Sequence, residues 1–252
     1  GWACGAGWLW RRLRAAGAGE ITVGDRSGMG ETRSVMAARG AFRLAAELGF
    51  DVMVFDELPA EEWEVVHVPG EHWQQGFALP RPALAAGAIV QTCCLKTHRF
   101  GGRFTLSLKN SVGFAAKRLP GGSHDYMREL HSSPYQRLMI AEINAAYRPA
   151  LVVLDGVEAF VDGGPDYGTK VASQVVLAAA DRVAIDAVGV AILRHFGTTP
   201  AVSSGPIFAQ EQIARAVELG VGVDGPEKIE LVADDEESEA YAAEIRAILG
   251  RG

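Results

Sequence analysis

The sequence has 252 residues, 48% apolar and 22% charged, the balance of a globular chain with ample material for a core; that balance excludes a disordered tail or a fibrous repeat. Acidic residues outnumber basic ones, 31 against 24, which argues against whole-surface binding to nucleic acid or an anionic membrane. No apolar run is long enough to span a bilayer. The opening GWACGAGWLWRRLRAAG turns basic after a brief apolar start, the wrong order for a signal peptide. A cytoplasmic protein is the simplest expectation, and the start at Gly1 rather than Met points to processing or truncation.

Hydrophobic periodicity alternates between strand and helix. EITV (20–23) reads as a strand between glycines, and residues 31–49 follow as a helix, with Val35, Phe42, Ala45 and Leu48 at helical spacing and Gly49 as its stop. DVMVF (51–55) and EVVHV (64–68) are short and β-branched. Pro80 and Pro82 introduce a short helix, and AIVQTCCL (88–95) reads as a buried strand. A glycine-rich, basic region then occupies 96–123, within a long functional loop expected over 96–133. A helix over 134–147 precedes the strand LVVLD (151–155), and QVVLAAA (174–180) leads into a helix over 181–196. Further helices are predicted over about 206–219 and 237–249, with a last strand, KIELV (228–232), between them. Strands separated by helices imply an open, mostly parallel sheet with helices on both faces. One α/β domain over 1–252 is the economical organisation, with a subdivision near residue 135 as the alternative.

Charge localises the chemistry. Between 96 and 137 lie eight basic residues (Lys96, Arg99, Arg103, Lys109, Lys117, Arg118, Arg128 and Arg137) against Asp125 and Glu129, with three of the chain's six histidines, His98, His124 and His131. A cationic island in an acidic protein suits a small carboxylate or phosphate better than a long polyanion; the competing explanation is a solvated loop. In open parallel sheets, ligands bind beyond the carboxyl ends of strands. Asp25, Lys96, Asp155 and Asp181 each follow or end a predicted strand, so parallel strands would gather them on one rim.

Lys96 and His98, two apart in extended chain, point the same way. Thr105 and Lys109 share a face in either helix or strand. A lysine supplies fixed positive charge, or a base where burial lowers its pKa. His98 can move a proton near neutral pH, and Asn110 can orient a carbonyl or oxyanion. Asp181 fits a helix N-cap. Asp186, among Val183, Ile185, Val188 and Ile192, needs a partner: a salt bridge to Lys96 or Lys109, backbone donors or a metal. A divalent cation held by Asp155 and Asp186 is one such arrangement.

GDRSGMGE (24–31), between a strand and a helix, matches neither the dinucleotide nor the P-loop pattern; a cradle for an anion at the helix start is one reading and a tight turn the favoured one. VDGGPDYG (161–168) is a second glycine loop. Cys4, Cys93 and Cys94 make neither a disulfide framework nor a C-x-x-C cluster motif, and small buried residues in a core strand is the plain reading of the adjacent pair.

The ordered set CLKTHRFGGRFTLSLKNSVGF, His131, LVVLDGVEAFVDGGPDYG and LAAADRVAIDAVG resembles the bacterial and archaeal family called domain of unknown function 362. The resemblance covers roughly 20–220. It implies recurring positions at Lys96, His98, Lys109, Asn110, Asp155, Gly164, Pro165 and Asp186. Many relatives carry a ferredoxin-like, cysteine-rich segment; this sequence lacks it, so their iron–sulfur label does not transfer. The expectation is a protein that binds, and by acid/base chemistry transforms, a small anionic metabolite. His98, Lys96 and Lys109 are its catalytic candidates, and Asn110, Thr105, Arg103, His131, Gly164, Asp155 and Asp186 its substrate-binding ones. A metal- or iron–sulfur-linked redox accessory with Cys93, Cys94 and His98 as ligands, and a non-catalytic assembly module, are the alternatives. A homo-oligomer or a redox partner is compatible with any of the three.

Overall fold

The computed structural model describes residues 2–251, with side chains from Gly7 onward; the Cys4 side chain therefore lies outside the described residues. The elements in chain order are α1 (Trp2–Ala15), β1 (Thr22–Asp25), α2 (Thr32–Ala38), α3 (Ala41–Leu48), β2 (Asp51–Val54), β3 (Trp63–Val66), β4 (Phe77–Pro80) and α4 (Arg81–Leu84). There follow β5 (Val90–His98), β6 (Arg103–Thr105), α5 (Ser107–Asn110), α6 (Tyr126–Ser132), α7 (Gln136–Ile143), β7 (Leu151–Gly163), β8 (Gly168–Val171) and β9 (Val175–Ala179). Last come α8 (Arg182–His195), α9 (Pro200–Ser203), α10 (Glu211–Glu218) and α11 (Glu236–Leu249). The fold is open α/β, with mixed parallel and antiparallel sheets and helices packed against them. Among the described residues no helix is long and apolar enough to cross a membrane.

The chain forms two compact units, each built from separate stretches. The first takes residues 1–64, 78–85 and 113–124. In it β1 and β2 pair in parallel, Thr22 opposite Asp51, and Met36, Ala41 and Val54 form a small core with Phe42 and Val52. The helix expected over 31–49 is two helices. Gly40, at φ +82°, breaks it, because the left-handed backbone there cannot continue a right-handed helix. The 24–31 segment is the tight turn expected, closed by the Ser27 hydroxyl, which donates to the carbonyl of Met29 (2.8 Å) or of Gly30 (3.0 Å). The Glu31 carboxylate accepts from the backbone N–H groups of Arg33 (2.8 Å) and Ser34 (2.7 Å), so the chain itself fills the anion position at the start of α2.

The second unit takes residues 65–77, 86–112 and 125–252. Its five strands run β6-β5-β7-β8, with β9 also on β7. β5 and β7 are parallel, from Val90 opposite Leu151 to Cys94 opposite Asp155, after which the register shifts to Lys96 opposite Phe160. Leu95, Phe104, Leu106, Val152 and Leu154 bury against Val183, Val190, Ile192 and Leu193 of α8. Gly189 is where that helix comes closest, since a Cβ there would lie 2.8 Å from Leu106 Cδ1.

The expectation of a mostly parallel sheet is corrected. β5–β6, β7–β8 and β7–β9 are all antiparallel. LVVLDGVEAFVDG is one strand of 13 residues that passes straight through Asp155. VDGGPDYG, read as a loop after a strand, is the hairpin turn joining β7 to β8. β9 runs back along β7, Ala179 opposite Val152, so Asp181 lies at the opposite edge from Lys96 and His98. The single rim inferred from parallel strands does not form.

No long basic loop is discernible either. Phe104, Leu106 and Leu108 are all buried, and their burial pulls 103–110 into strand and helix. KIELV is not a strand: Pro226 opens a short 3-10 turn, and the Leu231 carbonyl accepts from the Arg246 guanidinium (2.6 Å) instead of a neighbouring strand.

Candidate functional site

The register of β5 and β6 sets Lys96 opposite Thr105 and His98 opposite Arg103. Side chains alternate across a strand, so Lys96 and His98 share one face while Leu95 and Thr97 face the other way. Lys109 arrives from α5, a helix of four residues too short to hold itself. Asp186 anchors its start. One carboxylate oxygen accepts from the backbone N–H of Ser107 (2.8 Å) and Leu108 (3.2 Å) and from the Ser107 hydroxyl (2.6 Å). Complete burial pushes this carboxyl up to about 7, against the pull of those hydrogen bonds. From the other side the Asn144 amide donates to the Leu108 carbonyl (2.9 Å), and Arg182 donates to the Asn144 side-chain oxygen (2.7 Å). The helix that carries Lys109 is thus pinned at both ends.

Lys109 is 6% exposed, and its Nζ has no hydrogen-bond partner among the described residues. The chain passes directly over it at Gly102, where an added Cβ would run into Nζ and come within 2.9 Å of Cε. Burial first, and the neighbouring charge of Lys96 second, push this amine down to about 7. Burial, then Lys109, Lys96, His131 and Arg99, push His98 down to about 3. Its Nδ1 accepts from the backbone N–H of Phe100 (3.2 Å), which leaves the proton on Nε2. His131 has the opposite arrangement, with Nδ1 donating to the Met127 carbonyl (2.7 Å) and Nε2 left as an acceptor.

The cations nearby divide into two kinds. Arg99 pairs with Asp166 at 2.5 Å and stacks on Tyr167. Arg103 pairs with Glu211 (3.0 Å) and donates to Gln210 (3.3 Å). Arg137 pairs with the same Glu211 and donates to the Gly101 carbonyl (2.9 Å). Lys96 and Lys109 have no carboxylate at ion-pairing distance among the described residues. Thr105 Oγ1 and Gln136 Nε2 are also buried without a partner. An open cavity of about 520 Å³ lies alongside, lined by Phe100, Gly101, His131, Gln136 and Arg137 with Ser133 and Pro134.

The structure therefore gathers Lys96, His98, Lys109, His131 and Thr105, with Asn110, half-buried, next to Lys109 on α5. Arg103 turns aside to Gln210 and Glu211. Gly164 sits in the β7–β8 turn, where its carbonyl accepts from both the backbone N–H and the guanidinium of Arg99 (3.3 and 2.9 Å). Asp155 lies mid-strand and exposed, accepting from the Val157 N–H (3.1 Å). Asp186 serves Ser107 and Leu108 and bridges neither lysine, because its carboxylate faces the start of α5.

Adjacent on β5, Cys93 is buried and Cys94 exposed. They point to opposite faces, which corrects the reading of both as core residues and keeps them from sharing a ligand with His98. Among the described residues no group of three or more His, Cys, Asp or Glu side chains is placed to hold a metal ion. Sequence reading missed Gln136, Asn144 and Arg182. Only the glycine pair 101–102 between basic residues signalled that something large passes beneath.

No curated protein and no solved structure matches the chain. A family model does, over residues 8–191, and the chain belongs to the family it describes, the domain of unknown function DUF362.

Proposed function

We propose that this DUF362 chain binds a small carboxylate or phosphate at Lys96 and Lys109 and acts on it by proton transfer. One observation carries the reading: the Lys109 ammonium is buried beside a second lysine and, among the described residues, has no hydrogen-bond partner and no carboxylate. A buried charge left unpaired costs several kcal/mol. An anionic ligand removes that cost, and the arginines around the site, each already paired, do not compete for it. The histidines supply complementary protonic groups, a donor at His98 Nε2 and an acceptor at His131 Nε2. Lys109, near neutrality, is itself a base. No similar observation favours a redox centre, since Cys93 and Cys94 diverge.

The test is thermal unfolding with phosphate and a panel of small carboxylates. At a concentration near a hundred times Kd, a ligand adds about 2.7 kcal/mol of stability, a rise of several degrees in Tm. Lys96→Met and Lys109→Met should each abolish most of that rise. An equal rise in both variants removes the lysines from the role.

A further inference from the structure

Resting on that reading, we infer that Lys109 is a covalent nucleophile, its Nζ forming an imine with the carbonyl of a 2-oxo carboxylate whose carboxylate is held by Lys96. The geometry supplies what such an amine requires. Among the described residues Nζ has no hydrogen-bond partner, and no acidic group pairs with it to keep it an ammonium. The charge acting on it is that of Lys96 from β5, and His98, on the same face of that strand, senses both lysines. Asp186, the nearest buried carboxylate on the α8 side, is engaged by Ser107 and Leu108. Burial and the like charge of Lys96 both favour the free amine. The depressed pKa of Lys109 is a consequence of this surround and agrees with it.

The step balances without any added oxidant or reductant. The Nζ lone pair attacks the carbonyl carbon, and the carbonyl electron pair moves to oxygen, which takes up a proton to give the carbinolamine. Loss of that oxygen as water, carrying both protons originally on the amine, leaves the C=N bond. His98 Nε2–H is the hydrogen-bond donor to the carbonyl oxygen, and His131 Nε2 accepts the proton released from nitrogen. The carbonyl reaches Nζ when the turn from Phe100 to Arg103 lifts. Gly102 is the point where that turn lies against the amine. The carboxylate of the substrate then meets the positive charge of Lys96, which distinguishes a 2-oxo acid from a simple aldehyde.

The experiment is reductive trapping. The whole chain is incubated with pyruvate or glyoxylate near neutral pH, reduced with cyanoborohydride, and mapped by mass spectrometry. The secondary amine should appear at Lys109 on the order of a hundredfold ahead of the exposed Lys170 and Lys228. Lys109→Arg should remove the adduct. Lys96→Met should slow trapping of the 2-oxo acids several-fold more than trapping of propanal, because both reactions lose the Lys96 charge beside the amine but only the acids lose a carboxylate partner; equal slowing of both contradicts a carboxylate held at Lys96. Adducts spread over the exposed lysines, with Lys109 unmodified, overturn the imine. If phosphate still raises Tm in a Lys109-dependent way in that case, anion binding stands and the covalent step alone falls. If phosphate has no effect either, both fall.

Discussion

Lys109 and His98 each carry a cost that the rest of the fold must cover, and each cost has a pH signature. The Lys109 amine sits at about 7 in the folded chain against an ordinary value of 10.5. Between those values the unfolded chain binds a proton that the folded chain refuses. Stability therefore climbs as pH rises from 7 towards 10.5 and is lost as pH falls through 7, by up to about 4 kcal/mol across the window. Lys109→Met should flatten that climb and leave the protein more stable than wild type at neutral pH, read from urea unfolding at about pH 7 and about pH 10. Parallel profiles for the two proteins would show that the amine is not depressed. His98 is held at about 3 against 6.5, so its contribution is present above 6.5 and lost as pH falls towards 3. His98→Gln should weaken the acid limb of the stability profile. An unchanged limb would mean that the imidazole is protonated in the fold.

The site depends on two short pieces of backbone that cannot hold themselves. Ser107–Asn110 is a single helical turn, and Asp186 supplies its start. Asp186→Ala leaves two buried N–H groups without an acceptor, while the Ser107 hydroxyl keeps the Arg182 carbonyl (3.0 Å), a loss of roughly 3 kcal/mol by denaturant unfolding. A loss below about 1 kcal/mol would mean that α5 holds without its cap. The β7–β8 turn presses on the end of β5 at Gly164, which has φ +65° and leaves no room for a Cβ beside the Thr97 carbonyl. Gly164→Ala should destabilise the chain by a few kcal/mol, read as a lower Tm; a Tm within a degree of wild type contradicts that close approach. The longer apolar strands were legible at this scale, while the short β4, β6 and β8 and the direction of pairing were not. The apolar run at 151–155 announces β7, but nothing in its composition says that it continues through Asp155 to Gly163. Beyond Asp155 the exposed Glu158 and Asp162 alternate with the buried Gly156, Ala159 and Val161, and the glycines and carboxylates there imitate a loop. Likewise Phe104, Leu106 and Leu108 alternate as in a strand, yet α5 begins at Ser107, because Asp186, 79 residues further on, caps it there.

Across the whole chain the excess of acid lies alongside a small region where positive charge is unpaired, and the division between paired and unpaired cations separates structure from chemistry. Arg99, Arg103 and Arg137, counted with the basic segment in the sequence, are spent on Asp166 and Glu211. Charge counting found the region but not which charges were free, since pairing is decided by residues more than 60 positions away. The Lys96–His98 spacing was legible because period-two alternation is local. The convergence of Lys109 was not, because it depends on Asp186 and Asn144 holding α5. The most direct measurement is an NMR titration of the lysine Cε and Nζ resonances, with and without phosphate. Lys109 should titrate near neutrality, well below the exposed lysines, and move upward when phosphate is added. Lysines that all titrate in the ordinary range, with phosphate shifting none of them, would contradict a buried and unpaired amine awaiting an anion.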